Sequence, residues 1–304
     1  MTPEVTSVGS LNLDVTITVE TLPAPGETVL GTSASRAGGG KGANQAAAAR
    51  AAGASVAMVG AVGDDDAGRL MLEDLGGRGI DVDWVARVPG EYSGSATIAV
   101  DSAHGENLII VDPGANGALT PADVRVDAVR DAAVVVAQLE VPVAAVQAAA
   151  EHATGRFILN PSPAVPLPGA LLDRVDMLVL NQSELGVLAG VDTPRGSADA
   201  AVALRALGRA GPTLVTLGAA GALVDDGDVV HSLPALAVEP VDTTGAGDCF
   251  CGILAARLAA GDELLDAARL ATAGAALATL APGARGALPG IEEIRRAAEG
   301  LEPA

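Results

Sequence analysis

A glycine-rich segment at the start of a long apolar stretch carries the residue types best suited to chemistry. It reads Asp242-Thr-Thr-Gly-Ala-Gly-Asp248 and predicts the entry into a helix. The N–H groups of Gly245, Ala246 and Gly247 would point at one spot in front of that helix, an arrangement that binds phosphoryl oxygens. Asp248 would lie beside this spot, where a carboxylate can take a proton from an attacking hydroxyl. An ordinary helix, capped by one of the first two residues of the segment, accounts for the same pattern.

A second glycine-rich segment, Gly38-Gly-Gly-Lys-Gly-Ala-Asn-Gln45, precedes an alanine-rich stretch. It is neither a Walker A loop nor a dinucleotide-binding fingerprint, because its glycine spacing fits neither pattern. Gly40 and Gly42 allow the backbone to approach a ligand closely, and Lys41 and Asn44 would face that ligand. The segment therefore indicates a site for a small polar molecule, unless it is only a tight turn from strand to helix.

Asn12 and Asp14 follow the first predicted strand at a spacing of two residues. In an extended segment their side chains project on the same side. A carboxamide and a carboxylate suit the vicinal hydroxyls of a sugar, because both offer directional hydrogen bonds. An Asx turn at the strand end is the alternative interpretation.

Polar residues also follow three further predicted strands. They are Glu140, Asn181 with Glu184, and the segment Thr216-Leu-Gly-Ala-Ala-Gly221. Ligands of an open parallel sheet bind at the carboxyl ends of its strands. Together these residues favour one shared site, although each alone is more typical of a cap or a turn.

Short β-branched runs alternate with alanine-rich stretches along the chain. The predicted strands span residues 5–8, 55–59, 133–137, 157–160, 177–180 and 214–217, and the predicted helices span residues 41–52, 67–78, 142–152, 197–209, 246–260 and 264–280. Such alternation is typical of βαβ units and predicts a layered α/β fold with a mostly parallel sheet. The stretch after Gly290 predicts one more surface helix.

Two regions without a helical pattern interrupt this alternation. Residues 14–35 and 93–111 each read as strand, turn and strand. They would form a small separate sheet that covers the site as a lid, or else edge strands of the main sheet. We expect residues 1–304 to form a single catalytic domain that carries this insertion.

Composition argues against several classes of function. The net charge of −20 and the aromatic content of 1% speak against a nucleic-acid-binding protein. No stretch is long and apolar enough to suggest a membrane span, and the first residues lack the pattern of a signal peptide. Cys249 and Cys251 are too close in sequence for an ordinary disulfide, so we expect a cytoplasmic protein.

These segments, in this order, resemble the ribokinase-type carbohydrate kinase family over about residues 5–289. Gly39-Gly-Lys-Gly-Ala-Asn44, with Gly53 and Gly63 downstream, is similar to the family's first signature. The segment at 242–248 is similar to the core of the second, with Ile253 where Ala or Gly is usual. The resemblance implies a three-layer αβα sandwich around a mostly parallel, doubly wound sheet, with a β-sheet lid through which a homodimer forms.

The resemblance also implies an ATP-dependent phosphorylation of a sugar, with Asp248 as base and the preceding backbone amides as an anion hole. It assigns the sugar to Asn12, Asp14, Gly40, Lys41, Gly42, Asn44, Glu140 and Asp248. It assigns the nucleotide to Asn181, Glu184, Thr216, Gly218, Ala219, Gly221, Gly247 and Thr272. Thr272 stands where a histidine is common, and Glu184 completes a motif associated with Mg²⁺ and phosphate.

A monovalent cation site for K⁺ is implied as well. It comprises Asp242 and Thr244 together with the backbone at Ala278, Ala281, Gly283 and Ala287. Ala287 stands where a serine is common, which leaves one ligand in question. A cation behind the anion hole would offset part of the acidic background of the chain.

D-ribose, phosphorylated at O5, is the acceptor that the resemblance favours. Relatives that act on deoxyribose, fructose, tagatose phosphate or adenosine share the catalytic half, so these acceptors remain alternatives. Scarce aromatic residues speak against a nucleoside, and a sugar phosphate would want basic residues near Lys41, where only Arg36 is close by. A silent sugar-binding regulator would show damage at Asp248, and an oxidoreductase would need a phosphate fingerprint after the first strand; neither feature is present.

Overall fold

The computed structural model describes residues 2–104 and 106–301. Residue 105 of the predicted turn and residues 1 and 302–304 of the predicted domain lie outside the described residues. Within the described chain, nine strands form the main sheet: β1 (Val5–Val8), β4 (Val56–Gly63), β5 (Val85–Val88), β8 (Val134–Ala137), β9 (Arg156–Leu159), β10 (Met177–Asn181), β11 (Thr213–Thr216), β12 (Ala222–Asp225) and β13 (Val230–Leu233). Their order is β13-β12-β11-β10-β9-β8-β1-β4-β5. All neighbours are parallel except the pairs β11–β12 and β12–β13.

A second, four-stranded sheet has the order β3-β2-β6-β7. Its strands are β2 (Asn12–Val19), β3 (Gly31–Gly39), β6 (Gly94–Asp101) and β7 (Asn107–Asp112). These strands come from the two regions without a helical pattern, and they pair with each other rather than with the main sheet. The alternative of edge strands is therefore wrong, and we call this unit the small sheet.

The helices are α1 (Lys41–Ala51), α2 (Asp66–Gly77), α3 (Asp127–Arg130), α4 (Val143–His152), α5 (Gly169–Leu172), α6 (Gln182–Ala189), α7 (Gly196–Leu207), α8 (Ala246–Ala259), α9 (Leu264–Ala278) and α10 (Ile291–Ala298). The longer ones match the predicted helices to within two residues at each end. Within the described chain, no helix is long and apolar enough to cross a membrane.

Two buried clusters lie on opposite faces of the main sheet. Along β8, Val134 and Val136 join one cluster while Val135 and Ala137 join the other, because successive strand residues point to opposite faces. Helices α1, α8, α9 and α10 contribute to the first cluster, and α4, α6 and α7 contribute to the second. The predicted αβα layering around a mostly parallel sheet is thus confirmed.

Small residues let α1 and α8 approach each other closely, and this contact positions the site. A Cβ atom on Gly252 would lie only 2.7 Å from the Cβ of Ala48. Real Cβ atoms do not come so close, so glycine is required at this crossing. The approach brings the start of α1 beside the start of α8, where the two glycine-rich segments lie.

Candidate active site

A polar cleft of about 550 Å³ opens at the carboxyl ends of β9, β10 and β11. Asn160, Asn181 and Thr216 line it from these strand ends, and Lys41 and Asp248 line it from α1 and α8. This is the position at which open α/β sheets bind ligands. Segments far apart in sequence therefore converge on this cleft.

Asp248 lies in the first turn of α8 and is only 7% exposed. Its Oδ2 accepts a hydrogen bond from Asn44 Nδ2 at 3.0 Å, and its Oδ1 accepts one from Gln45 Nε2 at 3.1 Å. Burial raises the pKa of Asp248, and the Lys41 ammonium and the two amide donors offset part of that rise. The result is a carboxylate whose basicity exceeds that of an exposed aspartate and whose orientation is fixed by two amides.

The backbone ahead of Asp248 forms the start of α8. Gly245 is the residue before the helix and has a left-handed φ of 76°, which glycine adopts without strain. A Cβ on Gly247 would meet no atom within 4 Å, so this residue faces open space. The predicted caps are wrong: the side chain of Asp242 instead accepts hydrogen bonds from the N–H groups of Thr244 and Gly283. The helix N-terminus is thus left open toward the cleft.

Lys41, the first residue of α1, is the only lysine of the chain. Its backbone N–H donates to Glu140 Oε2 at 3.1 Å, and Ser10 Oγ donates to the same oxygen. Burial by itself lowers the pKa of Lys41, but the carboxylates of Asp248, Glu140 and Glu184 outweigh it and raise the pKa. The ammonium group is therefore firmly protonated at neutral pH.

Gly40 and Gly42 hold the α1 entry against the segment that follows β1. Gly40 has φ of 85°, and a Cβ on it would lie 2.7 Å from the carbonyl oxygen of Ser10. A Cβ on Gly42 would lie 2.6 Å from the carbonyl carbon of Gly9. Both glycines serve the close packing of these two loops, and their contact with a sugar stays a prediction.

Asn12 and Asp14 lie on β2 of the small sheet, opposite the α1 entry. Asn12 is buried, and its Oδ1 accepts a hydrogen bond from Asn116 Nδ2 at 2.8 Å. The carboxylate of Asp14 lies against Gly39 of β3, where a side chain would overlap it. Burial raises the pKa of Asp14 to about 6, with Arg285 lowering it and Glu140 raising it further.

A second cavity of about 1050 Å³ adjoins the polar cleft and shares Thr216 and Gly247 with it. Its walls are mostly apolar and come from small residues and Phe250. It gathers six of the eight residues predicted to hold the nucleotide: Thr216, Gly218, Ala219, Gly221, Gly247 and Thr272. The other two, Asn181 and Glu184, line the polar cleft instead. The Thr272 hydroxyl donates back to Ala268 O at 2.8 Å, within its own helix.

Two loops meet behind the start of α8. Asp242 Oδ2 accepts from Gly283 N at 2.7 Å, and Asp242 Oδ1 accepts from Thr244 N at 2.9 Å. Burial alone would raise the pKa of Asp242, but these N–H donors outweigh it and lower the pKa. Ala278 ends α9, and the carbonyl of the next residue, Thr279, accepts hydrogen bonds from Val241 N at 2.8 Å and Asp242 N at 3.1 Å. The ionised Asp242 therefore follows a backbone bonded to the C-terminal end of a helix, and a carboxylate and such a helix end both favour a cation.

Comparison with known proteins agrees with this arrangement. A profile of the pfkB family carbohydrate kinases matches residues 2–290. The chain belongs to this family. It is 37% identical to ribokinase of Bacillus subtilis (strain 168), over 94% of this chain and 96% of that protein. It is 34% identical to deoxyribokinase of Salmonella typhi, over 96% and 97% of the two chains.

A solved structure of Arabidopsis thaliana ribokinase, complexed with ribose and ATP, superposes on this pfkB-family chain with a TM-score of 0.90. The two sequences are 31% identical, and the match covers 98% of this chain and 99% of that one. A ribokinase from Thermotoga maritima matches with a TM-score of 0.87 at 30% identity, over 97% and 99% of the chains. The predicted fold class and family are confirmed.

The sequence did not single out four polar residues that this member of the pfkB family places around the cleft. They are Gln45, Asn116, Asn160 and Arg285. Gln45 Nε2 donates to Asp248 and, at 3.3 Å, to Asn160 Oδ1, and Asn160 Nδ2 donates to Val179 O at 2.9 Å. Asn160 directly follows β9, so the strand-end rule could have found it. Arg285 is an isolated charge in a loop of small residues, which is a weaker signal.

Proposed function

We propose that this chain transfers the γ-phosphoryl group of ATP to O5 of D-ribose and releases ribose 5-phosphate and ADP. The observation that carries the proposal is the position of Asp248. This buried carboxylate lies where a polar cleft meets an apolar cavity, beside an open helix N-terminus. Such a junction suits a sugar on one side, a nucleotide on the other and the transferring phosphoryl group between them.

In the proposed reaction Asp248 accepts the O5 proton as O5 attacks the γ-phosphorus. The bond between phosphorus and the β,γ-bridging oxygen breaks, and its electrons leave with ADP. Asn44 and Gln45 hold the carboxylate with its oxygens fixed, so little reorganisation is needed at the moment of proton transfer. The backbone N–H groups of residues 245–247 stabilise the charge on the transferring oxygens.

The sugar is bound, in this proposal, between the small sheet and the start of α1. Its contacts come from Asn12, Asp14, Gly40, Lys41, Gly42, Asn44 and Glu140. The carboxyl groups of Asp14, Glu140 and Asp248 lie close enough together to influence one another electrostatically. A neutral acceptor fits these charges better than a sugar phosphate does, because a second phosphate would be repelled.

The nucleotide lies in the apolar cavity, with its phosphates toward Gly247 and the polar cleft. Glu184 lines that cleft. Within the described chain, its Oε2 accepts two hydrogen bonds, from Asn181 N at 2.8 Å and from Asn160 Nδ2 at 3.4 Å. Its other oxygen suits Mg²⁺, which prefers carboxylate and water ligands. When bound, Mg²⁺ neutralises charge on the β- and γ-phosphates.

We also propose K⁺ as an activator at the loops behind α8. Asp242 and Thr244 would hold it together with the backbone carbonyls of Ala278, Ala281, Gly283 and Ala287. The ionised Asp242 already ties the two loops together through Thr244 N and Gly283 N. A cation there would stiffen the backbone that forms the anion site, rather than take part in the chemistry.

A homodimer through the small sheet is proposed as well. Four consecutive residues of its edge strand β7, from Leu108 to Val111, are 49–62% exposed. An edge strand with exposed aliphatic side chains invites pairing with a second copy. Light scattering of the wild type and of Ile110→Lys tests this; a dimer that survives the substitution would argue against the interface.

A reducing cytoplasm is the proposed compartment. Cys249 and Cys251 are both free and buried in α8. Burial raises the pKa of Cys249 to about 12, so its thiol stays protonated and inert.

A coupled ADP-release assay across pentoses, deoxyribose, hexoses, sugar phosphates and nucleosides tests the proposed function. We expect the highest kcat/KM with D-ribose. Faster turnover of deoxyribose would favour the second acceptor, which the 34% identity to a deoxyribokinase keeps open. Ribose binding without any ADP release would instead favour a silent sugar-binding regulator.

Labelling of Lys41 gives a readout that does not depend on turnover. Because Lys41 is the only lysine, an amine-reactive reagent modifies one side chain, which peptide mapping separates from the α-amino group. We expect D-ribose to slow this modification by burying the ammonium group further. Equal labelling rates with and without saturating ribose would remove Lys41 from the sugar site.

A further inference from the structure

Arg285 links three structural elements around the candidate site through one guanidinium group. Its Nε donates to Asn44 Oδ1 of α1 at 2.9 Å, and its Nη2 donates to Gly39 O of β3 at 2.9 Å. Its Nη1 donates to Asp74 Oδ2 of α2 at 2.7 Å. The side chain is only 6% exposed. A fully engaged and buried guanidinium at this point constrains the small sheet, α1 and α2 relative to one another.

The loop that carries Arg285 also contacts the start of α8. Gly283 N donates to Asp242 Oδ2, and a Cβ on Gly245 would lie 2.5 Å from the Cβ of Ala284. Three consecutive residues therefore contact the anion-binding backbone on one side and the sugar side on the other. A change in this loop would reach both ends of the cleft.

The bond to Asn44 decides how its carboxamide is oriented. A guanidinium has only donors, so it donates to Asn44 Oδ1 and cannot pair with the NH₂ group. With Oδ1 facing Arg285, the Nδ2 of Asn44 faces Asp248 Oδ2 at 3.0 Å. If the amide were flipped, the NH₂ group of Asn44 would face the N–H groups of Arg285, and its oxygen would face the carboxylate of Asp248. Arg285 thereby selects the arrangement in which the carboxylate receives a hydrogen bond.

The positive charge of Arg285 is balanced by the carboxylate of Asp74 and is not reserved for a ligand. Burial lowers the pKa of Arg285, and Asp74 acts in the opposite direction. Three of its nitrogens are already engaged by the protein, so its role differs from that of a phosphate-binding arginine.

We propose that Arg285 is a positioning residue for phosphoryl transfer: it orients Asn44, and through Asn44 the carboxylate of Asp248, while it fixes the Gly39 end of the small sheet. The inference rests on the proposed function, because it assigns Arg285 to the reaction in which Asp248 is the base. It adds a residue that contacts neither the sugar nor the phosphoryl group.

Kinetics of Arg285→Gln against pH test the inference, with Arg78→Gln as the matched control. Arg78 bonds the other oxygen of Asp74, at 3.0 Å, but does not reach Asn44. We expect Arg285→Gln to lower kcat about 10-fold or more, the effect of losing about one charge-assisted hydrogen bond. KM for ATP should stay unchanged, and Arg78→Gln should behave as wild type.

The acid limb of the pH profile of kcat distinguishes a residue that orients Asn44 from one that only holds its own loop in place. Lys41, Glu140, Asp14 and Cys251 also face Asp248, and all four remain in the variant. Without an oriented Asn44 donor, the ionised carboxylate loses stabilisation, so the acid limb of kcat should move to higher pH. An unshifted limb and wild-type kcat, even with a lower Tm, would overturn the inference.

A double-mutant cycle with Asn44→Ala completes the test. If Arg285 acts through Asn44, then Arg285→Gln should lower kcat no further in the Asn44→Ala background. Independent, additive losses would overturn the inference. If Arg285→Gln fails to fold, Arg285→Lys serves in its place and should show the same shift with a smaller loss. A wild type without any sugar-dependent ADP release would instead overturn the proposed function, so the two failures are distinguishable.

Discussion

The polar cleft and the apolar cavity beside it differ in the side chains that line them and in how those side chains are held. Asp248 is held by the side chains of Asn44 and Gln45, and charges of both signs are buried together around it. Around Thr272 the walls are mostly apolar, and the hydroxyl groups of Thr216, Thr272 and Thr279 each donate to a backbone carbonyl group. The first region fixes protonation states and orientation, whereas the second offers shape and apolar surface. The proposed catalysis depends on the first region, so we expect substitutions there to lower turnover far more.

Asp248→Asn should have the largest effect, because it removes the proposed base while keeping the shape of the side chain. We expect kcat to fall about 10²–10⁴-fold, the usual contribution of general base catalysis. Calorimetry should show sugar binding close to that of wild type. The exposed Asp266, at the start of α9, supplies the control Asp266→Asn. If Asp248→Asn turned over at nearly the wild-type rate, Asp248 could not be the general base.

Asp14→Asn should weaken sugar binding about 10–100-fold, the value of one or two hydrogen bonds to a charged group. The effect should depend on pH. The pKa of Asp14 is raised to about 6, so the carboxylate is ionised above that pH and protonated below it. Sugar affinity of the wild type should therefore fall as the pH drops through about 6. Calorimetry without ATP measures this, and a wild-type affinity that is flat from pH 5 to pH 8 would contradict the role of Asp14.

Replacement of K⁺ by Na⁺ should slow turnover about 5–10-fold, in the range of ordinary coupling between two sites. The change acts through the loops behind α8 rather than on the reacting groups. Asp242→Asn should remove the difference between the two ions, because the charged ligand is lost. Equal turnover of the wild type in K⁺ and in Na⁺ would contradict the proposed cation site.

Thr272→Val should have the smallest effect, about twofold or less on KM for ATP. Its hydroxyl is bonded to Ala268 O, so only that internal bond is lost. Valine has nearly the same size as threonine, so the wall of the cavity keeps its shape. A tenfold rise in KM for ATP would show that the hydroxyl turns toward the nucleotide, and the contrast between the two regions would then be weaker.

Local pattern was enough to predict much of the fold. β-branched runs and alanine-rich stretches predicted six strands of the main sheet and six of the helices, and the stretch after Gly290 predicted a seventh helix, α10. These predictions succeeded because the spacing of apolar residues along a short segment reports which side of the segment is buried. The predictions missed β5, β12 and β13, and for the last two the reason is that no α-helix separates β11, β12 and β13 in the described chain. Helix α6 was missed because it begins directly at the end of β10, where Asn181 is both the last strand residue and the helix cap.

The site was predicted in part for a related reason. Glycine-rich helix entries and polar strand ends are local signals, so Asp248, Lys41 and Asn181 stood out. Arg285 reaches Asn44 across 241 residues of chain, and no local pattern announces such a contact.

The sequence by itself determined which chemical groups stand at helix entries and strand ends, because backbone freedom and periodicity act over a few residues. The tertiary structure alone decided which of them share one buried space. The raised pKa values of Asp14, Asp248 and Lys41 depend on that shared space, since burial and charge act through distance and not along the chain. The same holds for the orientation of Asn44, which Arg285 fixes from a loop at the far end of the sequence.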